Sequence, residues 1–278
     1  GVAHMKKGEL DAAEAQFRRA IEADPSSISS YLNSSMLLGF QKKYDEAAAR
    51  CQAALLQNPD ATGSAALRSR LGMIYQAQGK YEEALKEFKL VAEANPQDVS
   101  GHRSIVDTLI AQKKYDDALA YSMRLIEDRP SMAQAHEFAA RALLAQGKAD
   151  DAVTQLQKAV EKDKSLFSPR ATLAKVYLSQ MKLSEAQEQA REAIRVSGSV
   201  SPVAAFAELS SLYEKITDFD AAKADIQTIL DEDGENVTAR LVLAYLHCLS
   251  GQSGDAVQQV QNLPARQIAS PAAHYILG

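Results

Sequence analysis

Histidine and cysteine are the residues of this chain whose side chains could most readily bind a metal ion or act as nucleophiles. The 278 residues include five histidines and two cysteines. A metal site needs several such ligands within about 2–2.5 Å of one ion, and a nucleophile needs a base beside it. The sequence has no HExxH motif, no CxxC pair and no glycine-rich phosphate loop. It therefore predicts no enzymatic activity, no cofactor and no metal.

The composition excludes two further classes of function. The formal net charge is −5, with no long block of lysine and arginine, so nucleic-acid binding has little electrostatic support. No apolar run reaches the roughly 18–20 residues that span a bilayer, so we expect no membrane insertion by this segment. With 46% hydrophobic and 24% charged residues, the chain suits a soluble segment of the cytoplasm or the periplasm, and the compartment stays open.

The elements that must position any functional residue follow a repeating pattern. Two short amphipathic helices separated by a turn at Gly79 are predicted between residues 68 and 96, where apolar and small residues recur every three or four positions. The residues of this template are Leu71, Gly72, Tyr75, Ala84, Phe88 and Pro96. The closing proline recurs at intervals of 34, 37 and 34 residues, at Pro25, Pro59, Pro96 and Pro130.

A small residue also recurs early in each second helix, where it allows neighbouring helices to approach closely. These residues are Ala13, Ala47, Ala84, Ala118, Ala152, Ala186, Ala222 and Ala256. A helical hairpin cannot bury its apolar faces alone, so adjacent hairpins must stack. The sequence therefore predicts an all-α fold.

This pattern resembles the tetratricopeptide repeat (TPR), a 34-residue helix–turn–helix unit. The resemblance implies an α-α superhelix with seven complete repeats and a partial repeat at each end. The complete repeats are predicted at 28–64, 65–98, 99–132, 133–166, 167–202, 203–236 and 237–270, and the partial ones at 1–27 and 271–278. Because both ends fall within a helix, we expect the chain to be part of a longer array.

The repeat register gives the candidate nucleophiles and metal ligands a packing role. The histidines all fall on the packing stripe of a first helix, one per repeat, at His4, His102, His136, His247 and His274. Cys51 takes the position of Phe88, and no base follows Cys248. We interpret these residues as part of the core.

In the resembled family, first helices line a concave groove, so the residues opposite their packing stripe are candidates for contacting a partner. They are Asn33, Met36, Phe40, Arg70, Met73, Arg103, Asp107, Phe138, Arg141 and Lys175. Apolar groups mixed with cations favour a protein or peptide ligand with apolar and acidic side chains. In the alternative, the apolar residues pack on neighbouring hairpins and the cations pair with Asp107 and Glu137.

Asn33 and Arg70 also match two positions of a clamp with which some family members hold a peptide carboxylate. Val2 and Ala66 replace its other polar residues. The sequence thus predicts a non-catalytic protein-interaction scaffold. The alternatives are a self-associating assembly protein and a docking or regulatory region of a larger protein in bacterial polysaccharide export or secretion.

Overall fold

The computed structural model describes residues 1–6, 8–57, 63–215 and 218–277. All regular structure in these residues is helical, which confirms the predicted all-α class. The predicted helix end at Pro59, the lengthened connection near Ala61 and the terminal Gly278 lie outside the described residues. Within them, no helix has the length and apolar character required to cross a bilayer.

The chain divides into two compact units, Gly1–Arg124 and Leu125–Gly278. In the first unit, each helix packs on the one before it from α1 to α7. The helices of this unit are α1 (Val2–Lys6), α2 (Leu10–Ala23), α3 (Ile28–Phe40), α4 (Tyr44–Gln57), α5 (Ser64–Ala77), α6 (Tyr81–Ala94) and α7 (Val99–Ala111), and α8 (Tyr115–Asp128) crosses the boundary.

The second unit contains the remaining helices. They are α9 (Ala133–Ala145), α10 (Ala149–Lys162), α11 (Phe167–Ser179), α12 (Leu183–Arg195), α13 (Pro202–Tyr213), α14 (Phe219–Glu232), α15 (Val237–Leu249), α16 (Ser253–Gln261), α17 (Ala265–Ile268) and α18 (Pro271–Leu277). Here too, most helices pack on the next along the chain, and α15 also contacts α13 and α18. The repeat boundaries themselves stay a prediction.

A single residue with positive φ turns the chain between the two helices of a hairpin. Four of these residues are glycines, at Gly8, Gly79, Gly147 and Gly251, with φ between 72° and 77°. Three are not glycine: Lys42, Lys113 and Met181 have φ of 59°, 61° and 59°. Because side chains disfavour this left-handed region, these three turns are strained relative to the glycine turns.

Small residues allow the close helix packing that the sequence predicts. Ala13, Ala84 and Ala152 are completely buried. A side-chain carbon added at Gly72 would lie 2.6 Å from the ring of Phe88, so only glycine allows α5 and α6 to pack this closely. The recurring small residues are therefore part of the contact between helices.

Glutamines at the ends of first helices donate hydrogen bonds to acidic residues at the start of the preceding second helix. The donors and acceptors are Gln78 to Asp45 at 2.7 Å, Gln112 to Glu82 at 3.0 Å and Gln180 to Asp150 at 2.9 Å. The acidic residues also lie in the first turn of a helix, where the helix dipole favours negative charge. The same carboxylates therefore stabilise a helix start and hold successive hairpins together.

The second helix of the predicted repeat 237–270 is shorter than its equivalents. It ends at Gln261 and has 9 residues, whereas α14 has 14. Pro264 follows and precedes the short α17. A proline has no backbone N–H and its ring clashes with the carbonyl four residues earlier, so the helix cannot continue through this position.

Candidate partner-binding face

The first helices of unit 1 bury one side and leave the other accessible. On α3 the buried residues include Tyr31, Leu37 and Leu38, and on α5 they include Leu71 and Ile74. We call the opposite side of α3, α5 and α7 the first-helix face of unit 1. The sequence placed seven of its candidate contact residues on this side.

Two of these candidates are large apolar side chains in solvent. Phe40 is 71% exposed at the end of α3, and Met73 is 49% exposed on α5, which packs directly on α3. Asn33 and Met36 lie on α3 and are half-buried. Exposed phenylalanine and methionine side chains on two helices that pack together are the kind of surface that partner contacts cover.

The charged candidates of unit 1 are less accessible than the apolar ones. Arg70, Arg103 and Asp107 are half-buried, and Arg103 and Asp107 each have an interaction partner. The Arg70 cation is close enough to lower the pKa of the Cys51 thiol, but burial has the larger effect and the pKa is raised overall. Cys51 is completely buried and protonated, which matches a core residue rather than a nucleophile.

In unit 2 the structure corrects the prediction for Phe138. Its side chain on α9 is completely buried, so it belongs to the core and cannot contact a partner. The reason is that α9 is enclosed on almost all sides, with Phe138 and the neighbouring Glu137 and Ala139 all inaccessible. The Glu137 carboxylate accepts a hydrogen bond from the Ser168 hydroxyl at 2.8 Å.

The two cations predicted on this face of unit 2 differ in environment. Arg141 is half-buried on α9 and has an interaction partner. Lys175 is exposed on α11 and forms an ion pair with Glu208 of α13. Its charge is therefore neutralised by the next first helix along the chain.

An apolar cleft on the first helices of unit 2 was not predicted from the sequence. It has a volume of about 280 Å³ between α13 and α18, and its lining includes Phe206, Ser210 and Tyr275. Tyr275 is 62% exposed, so one wall of the cleft is accessible to solvent. The aromatic residues Phe206 and Tyr275, on the two helices that form the cleft, were the sequence signal that could have identified it.

Tyr245 of α15 supports the floor of this cleft. Its ring contacts Phe206 edge-on at 5.5 Å between centroids and Tyr275 at 5.9 Å. Its hydroxyl donates to Glu214 Oε1 at 2.8 Å, and burial raises the pKa of the phenol above its usual value. Tyr245 is thus a fixed, protonated support for the more exposed Tyr275.

The two buried histidines bond to neighbouring residues, whereas His274, which the sequence also placed on the packing stripe, is exposed. His102 donates from Nε2 to the Pro96 carbonyl at 3.2 Å and accepts at Nδ1 from the Tyr121 hydroxyl at 2.7 Å. His136 Nδ1 donates to Gln155 Oε1 at 2.8 Å. In the part of the chain that the structure describes, no three His, Cys, Asp or Glu side chains are grouped so that they could hold a metal.

Comparison with known proteins assigns this helical pattern to a family. Three family models, each described as a tetratricopeptide repeat, match residues 1–27, 41–105 and 103–166. Together the three matches cover more than half of the chain. None of the curated proteins compared with the chain matches it.

Several solved structures are similar to the chain at low sequence identity. MamA is 18% identical, with 58% of this chain and 93% of MamA covered and a TM-score of 0.45. YrrB, described as a TPR protein with an unusual peptide-binding site, is 22% identical, with 65% and 91% covered and a TM-score of 0.39. The C-terminal part of a TPR protein from Cytophaga hutchinsonii is 16% identical, with 85% and 95% covered and a TM-score of 0.48.

Proposed function

The chain belongs to the tetratricopeptide-repeat family, and from this premise we propose that it is a non-catalytic scaffold that binds a protein or peptide partner on its first helices. The observation that carries the proposal is the exposure of Phe40 and Met73 on two adjoining first helices of unit 1. Removing a side chain of this size from water contributes about 1.5–3 kcal/mol. A partner that covers both would gain a substantial part of its binding free energy there.

The charges near these apolar residues favour an acidic partner. Arg70 lies one helical turn before Met73 on α5, whereas Arg103 on the next first helix, α7, already has an interaction partner within the chain. Charged groups around an apolar contact contribute to selectivity and association rate more than to affinity. A segment that combines bulky apolar residues with aspartate or glutamate fits this surface.

The experiment compares two exposed apolar residues on different helices. A partner is first captured by cross-linking to the native protein and identified, and its affinity is then measured by calorimetry. We expect Phe40→Ser to weaken binding about tenfold or more, since it removes an apolar contact of about 1.5–3 kcal/mol. Leu56→Ser is the matched control, because Leu56 is 82% exposed but lies on the second helix α4.

Charge reversal tests the acidic character of the partner. Arg70→Glu should weaken binding by a larger factor at low salt than at high salt, because salt screens charges at a surface. If Phe40→Ser and Leu56→Ser have the same affinity as the native chain, the first-helix face of unit 1 is not the binding surface. If only Leu56→Ser weakens binding, the partner contacts the second helices instead.

Self-association is a second candidate function, favoured by the apolar surface of α18. Tyr275 and Leu277 are 62% and 49% exposed on this helix. Light scattering over a concentration series should show dimers or larger species that Tyr275→Ser reduces, and a constant monomer mass would exclude this function. A docking or regulatory role in polysaccharide export or secretion stays a prediction.

A further inference from the structure

Arg170 on α11 is a buried cation that has no carboxylate partner in the described part of the chain. Only 8% of the residue is exposed. Its Nη2 donates to the backbone carbonyl of Lys164 at the long distance of 3.3 Å, and its Nε has no acceptor among the described residues. A buried charge is strongly destabilising unless it is paired and hydrogen-bonded. Among the described residues, Arg170 therefore has no carboxylate to neutralise its charge.

Two other hairpins have an arginine at the equivalent position, and their partners differ. Arg240 on α15 donates to Gln259 at 3.5 Å and to the Gly234 carbonyl at 2.7 Å. Arg68 on α5 forms an ion pair with Glu87, nineteen residues further along, at 2.9 Å. Nineteen residues after Arg170 the chain has Gln189, a neutral amide whose Oε1 is buried and has no hydrogen-bond donor. The hairpin of α11 and α12 thus has the cation of the pair but not its counter-ion.

An open cleft adjoins this unpaired guanidinium. It has a volume of about 220 Å³ and is lined by residues of α10, α11 and α12, among them Arg170, Tyr177 and Gln189. The Tyr177 hydroxyl accepts a hydrogen bond from Gln157 at 3.1 Å, and its own proton remains available for a further acceptor. The cleft is therefore lined by two side chains with hydrogen-bond donors, Arg170 and Tyr177, and has space for a small acceptor group.

Other charges at the cleft also favour an anion. Lys164 lines it together with one carboxylate, Glu161, and both are exposed. The Lys182 ammonium lies over the Tyr177 ring, 5.8 Å from its centroid. Among the lining residues themselves, the two cations Arg170 and Lys164 outnumber the one carboxylate, Glu161.

We propose that this cleft binds a carboxylate group, with Arg170 as the principal ligand and Tyr177 as a second donor. A carboxylate has one negative charge and a planar pair of oxygens, which match one guanidinium edge and one hydroxyl. The residues come from the packing side of α11 and from two second helices. The site is thus separate from the first-helix face, and it does not depend on the proposed scaffold function.

The test observes Arg170 and Arg68 in one sample of the full chain. Sodium acetate is titrated at constant ionic strength against sodium chloride, and the side-chain Nε–H signals are followed by NMR. We expect the Arg170 signal to shift with saturation in acetate, whereas the Arg68 signal, already paired with Glu87, stays unchanged. Equal, non-saturating shifts of both signals would overturn the proposal, as would binding of inorganic phosphate at lower concentrations than acetate.

Two variants test the residues. Gln189→Glu restores the internal counter-ion, so acetate should no longer shift Arg170, while the melting temperature should rise. Tyr177→Phe keeps the ring and removes only the hydroxyl, so acetate binding should weaken about tenfold, as expected for loss of a hydrogen bond to a charged group. Native acetate binding in a folded Gln189→Glu protein would overturn the proposal, and native binding in Tyr177→Phe would remove the second donor from it.

The carboxylate has two sources, a free small anion or an acidic side chain of a partner, and a peptide pair distinguishes them. An acetylated, amidated peptide with one glutamate is compared with the same peptide carrying glutamine. Displacement of acetate by the glutamate peptide alone assigns the site to a partner side chain. Saturable acetate binding that neither peptide displaces assigns it to a free carboxylate.

Discussion

Replacing Met181 by glycine should stabilise the protein, although it removes a large side chain. Met181 forms the turn between α11 and α12 with φ of 59°, in the left-handed region. Its side chain is 79% exposed, so the substitution sacrifices little buried apolar surface. The equivalent turn between α9 and α10 already has a glycine, Gly147, with φ of 77°.

The expected magnitude follows from two opposing free energies. A non-glycine residue in the left-handed region is less stable by roughly 1–2 kcal/mol. Glycine loses roughly 0.5–1 kcal/mol more than alanine in conformational entropy on folding. Met181→Gly should therefore raise the free energy of unfolding by about 0.5–1 kcal/mol, the difference between these two values.

The assay is urea unfolding followed by far-ultraviolet circular dichroism. With a slope of about 1–3 kcal/mol per molar urea, the midpoint should rise by about 0.2–1 M. The reverse substitution, Gly147→Met, should lower the midpoint, because Gly147 has a φ of 77° and methionine would be strained there. Ala269→Gly is the control. Ala269 is exposed with φ of −87°, so glycine relieves no strain there and only increases the entropy lost on folding. A midpoint lowered equally by Met181→Gly and Ala269→Gly would refute the argument.

Three further predictions concern stability. Phe138→Ala should lower the free energy of unfolding by about 3–5 kcal/mol, whereas Phe40→Ala should change it by less than about 0.5 kcal/mol. Chemical denaturation measures both, and a similar loss of unfolding free energy in the two variants would contradict the prediction from burial. Gln180→Ala should lower the free energy of unfolding by about 1 kcal/mol, because it removes the hydrogen bond to Asp150 of the preceding hairpin. In a chain that already carries Asp150→Ala, the same substitution should cause no loss. Asp98→Ala should lower the free energy of unfolding by about 1 kcal/mol at neutral pH, because the Asp98 side chain caps α7. Hydrogen bonds from the Ser100 backbone N–H and hydroxyl lower the pKa of Asp98 below its ordinary value of 3.8. The stabilisation by Asp98 is therefore complete above pH 3.8 and is lost as the pH falls through the lowered pKa. At that low pH the unfolding free energies of the native and variant chains should converge.

Much of the local structure was predictable because it depends on short-range constraints. The helical spacing of Leu71 and Tyr75, and of Ala84 and Phe88, predicts two helices, and α5 and α6 contain these residues. The break at Gly79 is equally local, because glycine readily adopts the positive φ that the turn requires. Repeat register correctly placed His102 on the buried stripe of α7, but the same register was wrong for His274, which is exposed.

Part of the candidate site was not predictable, because helical spacing assigns a side to a residue but does not say what covers that side. Phe40 and Phe138 were both predicted on the accessible side of a first helix, yet one is 71% exposed and the other is completely buried. The sequence predicted Lys175 as a cation for a partner, but in the folded chain Lys175 forms an ion pair with Glu208 of α13. The apolar cleft beside Tyr275 needs α13 and α18 to meet, although 57 residues of sequence lie between these helices.

The sequence by itself determined that the chain forms helical hairpins and where each turns, because those features depend on residues within one or two helical turns. It also contained the unequal pairing of Arg68 with Glu87 and of Arg170 with Gln189, at a constant interval of nineteen residues. Tertiary structure decided which of these residues water can reach. Accessibility depends on the packing of neighbouring hairpins, so only the folded chain distinguishes a partner-binding surface from a core and a paired cation from an unpaired one.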